Sequence, residues 1–354
     1  IAGLMLAGEL ERRGVPWHVW EKAPQPGAEA SGKNAGIIRS YEADPVVSKL
    51  ARASVEYYRT NEPSYQACGI AFAPWEFDYL APEYPKTSLL SGKDGILLTE
   101  DGCVEPMAVL QRLVGAAYRH GKISYSAPAE VEIAGRKIAW RFGDAVPAAG
   151  DSIVIACGEG AIAFDNALQR GLTLVPHLRT LYEYENTQGY RGPVQWDEES
   201  GCYFRLSGDT ITATAGEQIP VPPRAEGDTD DRQADEKSPA VLARQFPFLQ
   251  PAQLRAWRTC RRLMPLDNRP YCGKDPQVGN LFWLTGLGGR GMSIAPALAQ
   301  LLRFREVFLQ RKPTVEKAEF LAKLIERPEL AGQQYSVLRS WLVSSKADIL
   351  ATFL

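Results

Sequence analysis

Four glycines crowd into Gly286-Leu287-Gly288-Gly289-Arg290-Gly291, and their neighbours give them meaning. The apolar run Leu281-Phe282-Trp283-Leu284 predicts a buried strand leading straight into the turn. Beyond it, Ile294, Ala295, Leu298, Leu301 and Leu302 recur on one helical face. Strand, glycine turn and helix together can bring backbone N–H groups close to a ligand. The helix N-terminus adds partial positive charge there. Such a turn suits an anionic or electron-rich group, and it also serves as a plain strand–helix connector. Gly286, Gly288, Gly289, Arg290, Gly291 and Met292 are the candidate ligand-facing residues.

A second half-motif opens the chain. Ala2-Gly3 runs into a helical face of Leu4, Met5, Ala7 and Leu10, stopped by Arg12-Arg13-Gly14. Val15–Trp20 then predicts a strand that closes on Glu21 and Lys22. A helix after glycine, followed by a strand with an acidic end, is the second half of a Rossmann βαβ unit. Ala2 and Gly3 would lie against a pyrophosphate and the Glu21 carboxylate against ribose hydroxyls. The alternative is a generic βαβ unit with a chance glutamate. The first two glycines of a G-x-G-x-x-G would precede Ile1, so the native start, and any targeting signal, is expected upstream.

Composition bounds the chemistry. A chain of 354 residues has room for two domains, and 45% hydrophobic with 23% charged residues is ordinary for a globular protein. A net charge of −2 gives no electrostatic case for nucleic acid or an anionic membrane. Three histidines argue against histidine triads and multi-histidine metal sites. Six cysteines without a C-x-x-C pair argue against zinc and a disulfide scaffold, and fit a reducing, cytoplasmic setting. No apolar run reaches membrane-spanning length.

The elements that must position a site follow. Val46–Asn61 and Met107–Gly121 are expected helices, and Ile70–Leu98 short strands and turns. Asp151–Gly160 predicts a buried strand that ends in small residues at Cys157 and Gly158. Period-two alternation from Leu172 to Ala215 predicts an antiparallel sheet. Short helices are expected at Ala240–Phe246 and Pro251–Trp257, a solvated acidic loop at 220–239, and two amphipathic helices in 313–354.

Ala30-Ser31-Gly32-Lys33-Asn34-Ala35-Gly36, following that helix, strand and Glu21-Lys22, resembles the D-amino-acid oxidase superfamily of flavoproteins. Glycine oxidase, monomeric sarcosine oxidase and the D-amino-acid dehydrogenases belong to it. The resemblance extends to Gly102–Pro106, to Asp151–Gly160, and to Trp257, Arg262, Asp267, Pro270 and Gly273. It implies an α/β (α+β) fold: a Rossmann-like FAD-binding domain and a second domain built on an antiparallel sheet. The FAD domain would comprise residues 1–45, 99–171 and 270–312, the substrate domain 46–98 and 172–269, with 313–354 a helical extension able to mediate a homo-oligomer.

In the family the S-x-x-N-x-G stretch wraps the flavin, which implies that role for Ala30, Ser31, Lys33, Asn34, Ala35 and Gly36. The resemblance also places Cys157 and Gly158 where the backbone passes the flavin, and the Gly286–Met292 turn at the ring's N1–C2=O edge. Arg262 and Arg39 match carboxylate-binding arginines, each with a structural salt bridge as the alternative. Tyr203, Tyr184 and Arg205 are candidates to line the substrate pocket, or cross-strand pairs on a solvated face. Cys260 matches the position of covalent flavin attachment in sarcosine oxidases, but the surrounding pattern differs, so non-covalent FAD is expected. Ser293 stands where those enzymes carry a lysine.

The expected activity is oxidation of the C–N bond of an amino acid or N-substituted amino acid, by hydride transfer to flavin N5. Oxygen or a quinone would accept the electrons. Rival expectations are an oxidase acting on modified tRNA and a flavin-binding subunit of a larger dehydrogenase complex.

Overall fold

In a computed structural model, residues 1–304 are described apart from 76, 81, 135–136, 149–150 and 225–237. The helices expected in 313–354 and most of the acidic loop therefore lie outside the described residues.

Four helices build one core. Ala2–Glu11 buries Leu4, Met5 and Leu6, and Pro45–Asn61 buries Val47, Leu50, Val55 and Tyr58. Pro106–Val114 adds Val109, Leu110 and Leu113, and Gly291–Phe304 adds Met292, Ile294, Ala295 and Leu298. Asp44 starts the second of these by accepting from Val46 N at 2.8 Å, with Pro45 in the first turn. The third is shorter than the sequence predicts. It ends at Gly115, whose N–H still reaches Gln111 O, and Gly121 opens a strand instead of closing the helix.

That strand, Gly121–Ser124, runs parallel to Trp17–Trp20. A second parallel pair joins Ile153–Ile155 to Leu281–Thr285, and Tyr271–Lys274 lies antiparallel on the far side of the latter. Parallel pairs linked through helices are the nucleotide-binding half of the α/β fold.

The other half is a nine-stranded sheet. Its long members, Leu174–Glu185 and Leu254–Pro265, pair antiparallel from Leu174↔Pro265 to Tyr184↔Leu254. The expected helix at Pro251–Trp257 is thus corrected to a strand: the long partner offers a ladder that outweighs local propensity. Thr210–Thr214, Tyr203–Ser207, Val194–Asp197, Ile70–Ala73, Asp94–Leu98 and Lys86–Ser88 continue the sheet, and the short Ile219–Pro220 pairs antiparallel with His177–Leu178 as its ninth strand. All these neighbours are antiparallel except Val194–Asp197 with Ile70–Ala73.

Register assigns the faces, because residues opposite each other across a ladder point the same way. Phe72 pairs with Trp196, Trp196 with Tyr203, and Tyr203 with Thr214. Thr212, two residues from Thr214, pairs with Glu183, which brings Leu181, Arg179 and His177 to this face. Their partners Arg258, Cys260 and Arg262 follow. Tyr182, Tyr184, Phe204 and Ala213 take the other face, under Leu242, Phe246 and Leu249. Tyr184 is therefore core, not pocket lining: one step along the strand reverses its side.

Among the described residues, no helix is long and apolar enough to cross a membrane.

Candidate active site

The loop from Gly27 to Gly36 is fixed by close backbone packing. Gly36 has φ +72°, and a Cβ there would collide with Val104 O. Asn34 Oδ1 accepts from Gly36 N at 2.7 Å, closing an Asx turn that sets the approach to Ile37–Ile38. Ser31 Oγ accepts from Ile1 N at 3.0 Å, so this loop lies beside the start of the first helix. That helix has no side-chain cap, which leaves its first N–H groups available to a ligand.

Ile37–Ile38 pairs with Gly102–Cys103 and delivers Arg39 to the inner face of the large sheet. The Arg39 guanidinium lies 4.7 Å from the Phe72 ring centroid and 4.2 Å from that of Trp196. Its Nη2 donates to Glu42 at 3.1 Å, while Nε and Nη1 are buried with no partner. Trp196 stacks on Tyr203 at 4.5 Å. Burial raises the Tyr203 hydroxyl pKa, partly offset by Arg179 and Arg262, so the phenol remains a hydrogen-bond donor at neutral pH.

Arg262 stands behind Tyr203 on the same face. Burial, then the neighbouring Arg179, pulls its pKa down to about 10. Its Nε and Nη2 are buried and unpartnered. Gly289, φ +81°, explains how the side chain is seated: a Cβ there would lie 2.6 Å from both Arg262 Cδ and Nη1. The Cδ–Nη1 side thus packs on the glycine, leaving the Nε–Nη2 edge turned away from it. Cys260 is buried next to Arg179 in the ladder, and burial raises its thiol pKa.

The C-terminal glycine turn meets the N-terminal motif. A Cβ on Gly291 would sit 3.2 Å from Ile1 Cγ2, and one on Gly3 3.6 Å from Ala156 Cβ. Thr285 Oγ1 donates to Gly158 O at 3.5 Å. Gly158, φ +57°, has nothing within 4 Å of a Cβ position, and Cys157 beside it is exposed. Open ground before a glycine backbone is what a bulky planar ligand laid against it needs.

Asn34, Ala35, Ile37, Arg39, Glu42, Trp196, Tyr203, Gly289, Arg290 and Ser293 line one cleft of about 50 Å³. It unites parts of the Ala30–Gly36 loop, the glycine turn and the sheet. Arg262 flanks it through Gly289 and Tyr203. Ala2, Gly3 and Ser31 gather at the start of the first helix. Glu21 lies at the end of Trp17–Trp20, where its Oε1 accepts from Ala23 N at 2.9 Å; neither it nor Lys22 lines the cleft. Arg205 shares the inner face but is bound to Glu105 at 2.9 Å and lies outside the lining. Arg290 is tied to Asn268 O and Glu42, and Ser293 Oγ to Ile37 O at 3.1 Å. Met292 is buried core.

Sequence reasoning missed Arg179, Trp196 and Phe72. The signal for Arg179 was an arginine at period-two spacing from Leu181, on a strand whose alternate face is apolar. A roomier depression of about 410 Å³ at Trp75 and Lys93 is open to solvent, and its lysine is already paired with Asp197 and Glu199 at 2.7 Å. Among the described residues no His, Cys, Asp and Glu group is placed to hold a metal.

Solved structures share this architecture. L-proline dehydrogenase from P. horikoshii superposes with a TM-score of 0.73 at 16% identity, over 85% of this chain and 89% of that one. Glycine oxidase from Bacillus cereus gives 0.70 at 15%, over 85% and 91%. Iminodiacetate oxidase from Chelativorans sp. gives 0.66 at 18%, over 85% and 91%. No curated protein matches by sequence. The model of the DAO family, described as FAD-dependent oxidoreductase, matches residues 1–305. With that match over most of its length, the chain belongs to the DAO family of FAD-dependent oxidoreductases.

Proposed function

We propose that this oxidoreductase oxidises the C–N bond of an amino acid or N-substituted amino acid. The carrying observation is the unpartnered Nε–Nη2 edge of Arg262 beside the Tyr203 cleft. Two N–H donors on one edge of a planar guanidinium match a carboxylate bidentately, and a buried charge left without a partner is costly.

The residues present fit FAD. Ala2 and Gly3, at an uncapped helix N-terminus, would take the pyrophosphate, and Glu21 the ribose hydroxyls. Ser31, Asn34 and Gly36, with Cys157–Gly158 and the Gly286–Gly291 turn, would enclose the flavin end. When bound, FAD supplies a two-electron acceptor for hydride. Arg262 fixes the carboxylate, and this orients the α-carbon relative to the cleft wall. Tyr203, protonated, donates to the same carboxylate. Glu42 is held by Arg39 and Arg290, so no cleft carboxylate stands free as a base; the amine enters neutral, having lost its proton to solvent. The imine product then hydrolyses to an oxo acid and ammonia or an amine. We place the FAD domain at 1–61, 99–171 and 270–312 and the substrate domain at 62–98 and 172–269; the expected boundary at 45 moves because the helix Pro45–Asn61 packs in the core of the first helix. Cys260, buried as a thiol, leaves the flavin non-covalent.

An amino-acid and amine panel, monitored by flavin bleaching without oxygen, tests this. Protein that binds FAD and is bleached by dithionite but by no amine would refute it. Acid precipitation should release the flavin into the supernatant; flavin kept in the pellet would point to Cys260.

A further inference from the structure

We propose that the substrate carries a second anionic group besides its α-carboxylate: an amino- or iminodicarboxylate, with Arg262 holding one end and Arg39 the other. This rests on the amino-acid reading above and narrows it to a class.

Charge is the first observation. Arg39, Arg179, Arg262 and Arg290 stand at the cleft or directly behind Tyr203, and the carboxylates beside them are Glu42, Glu217 and, near Arg39, Asp101. Four positive charges less three negative leaves +1, so charge calls for at least one carboxylate and the free donors decide the number. Arg258, which also acts on Cys260, is neutralised by Glu183 and adds nothing to this count. The negative charges of FAD sit on its pyrophosphate, placed at Ala2 and Gly3, so they do not balance this surplus.

The division of free donors is the second. Arg262 offers Nε and Nη2 on one edge, while Arg39 has Nε and Nη1 unsatisfied after Nη2 binds Glu42. A monocarboxylate engages the Arg262 edge and leaves Arg39 with two buried donors unmade, a state that folded proteins rarely tolerate. The two guanidiniums sit on different elements, Arg39 after Ile37–Ile38 and Arg262 on Leu254–Pro265, with Tyr203 and Gly289 between them. Arg39 cannot swing to share one carboxylate, because Phe72 and Trp196 pack against its guanidinium.

The FAD-loaded protein is titrated without oxygen, reading the flavin spectrum. Matched pairs are aspartate with asparagine, glutamate with glutamine, and iminodiacetate with sarcosine; succinate with acetate gives a pair that cannot be oxidised. At least one dicarboxylate should bind about tenfold or more tighter than its partner, the scale of one charge-assisted pair. Arg39→Gln should bring that ratio to within about threefold. Amides and monocarboxylates binding as tightly as every dicarboxylate would overturn the proposal. The wild-type panel decides between these outcomes even if the variant does not fold. Discrimination for succinate with no amine oxidised would sink the C–N oxidation reading and leave the dianion site standing. Amine oxidation without a carboxylate preference would do the reverse.

Discussion

Arg261 and Arg262 are adjacent on one strand and lie in opposite electrostatic settings. Arg261 meets Glu159 through Nε at 2.6 Å and Nη2 at 2.7 Å, a bidentate pair on the outer face. Arg262, on the inner face, packs its Cδ–Nη1 side on Gly289 and keeps its opposite edge, Nε and Nη2, unpartnered. Composition and spacing do not distinguish them; the parity of the ladder does. A fold can satisfy an arginine internally, or hold it buried and unsatisfied until a ligand arrives. On the proposed reading Arg262 takes the second course, while Arg205 and Arg258 on the same face take the first.

The sharpest way to break the contrast is to remove each arginine in turn. Arg262→Gln should lower kcat/KM for the best substrate about a thousandfold, the scale of losing a bidentate charge-assisted contact made to a buried site. Arg261→Gln should leave kcat/KM within about threefold and instead cost about 1–3 kcal/mol of stability in denaturant titration. Equal kinetic losses would erase the distinction.

Asp101 extends the contrast to an acid. It is buried, and that burial raises its pKa to about 6, opposed by donation from Ser40 N at 2.7 Å and Ser40 Oγ at 3.0 Å. The folded state then holds this proton more tightly than the unfolded chain. The stabilising contribution is full below about pH 4 and is lost as pH rises through 6, about 3 kcal/mol in all. Asp101→Asn should flatten that part of the pH–stability profile; a profile unchanged by the substitution would show that Asp101 ionises freely.

Gly289→Ala probes the seat of Arg262. Left-handed φ and a Cβ 2.6 Å from Arg262 Nη1 should shift the guanidinium and raise KM about tenfold. Gly158→Ala has open space, so without flavin it should cost only about 1 kcal/mol of backbone strain. The smallest effect separates the two tyrosines by face. Tyr203→Phe should change KM several-fold, as loss of one neutral hydrogen bond predicts, whereas Tyr184→Phe should leave kinetics untouched.

Much of this was legible in the sequence where local chemistry dictates structure. The Gly286–Gly291 turn, the Asn34–Gly36 loop and the helix faces at Val47, Leu50 and Val55 are each specified within a few residues. What escaped depends on partners far along the chain. Leu254–Trp257 becomes a strand because Tyr182–Tyr184 is there to pair with it. Tyr184 and Tyr203 read alike until register puts them on opposite faces. Gly115 ends its helix short of Gly121, which a face count through Val114 does not reveal. Arg39 and Arg262 both read as carboxylate candidates, yet their joint presence around one cleft required the three-dimensional fold.

The aromatic seat of Arg39 has a consequence for how binding is timed. A flexible arginine surrenders rotamer freedom each time it grips a ligand, about 0.5–1.5 kcal/mol for a side chain of this kind. Here, Phe72 and Trp196 remove that freedom during folding. In the proposed binding mode every later encounter begins with a guanidinium already in place, so selectivity is exerted on arrival, before any rearrangement of the cleft.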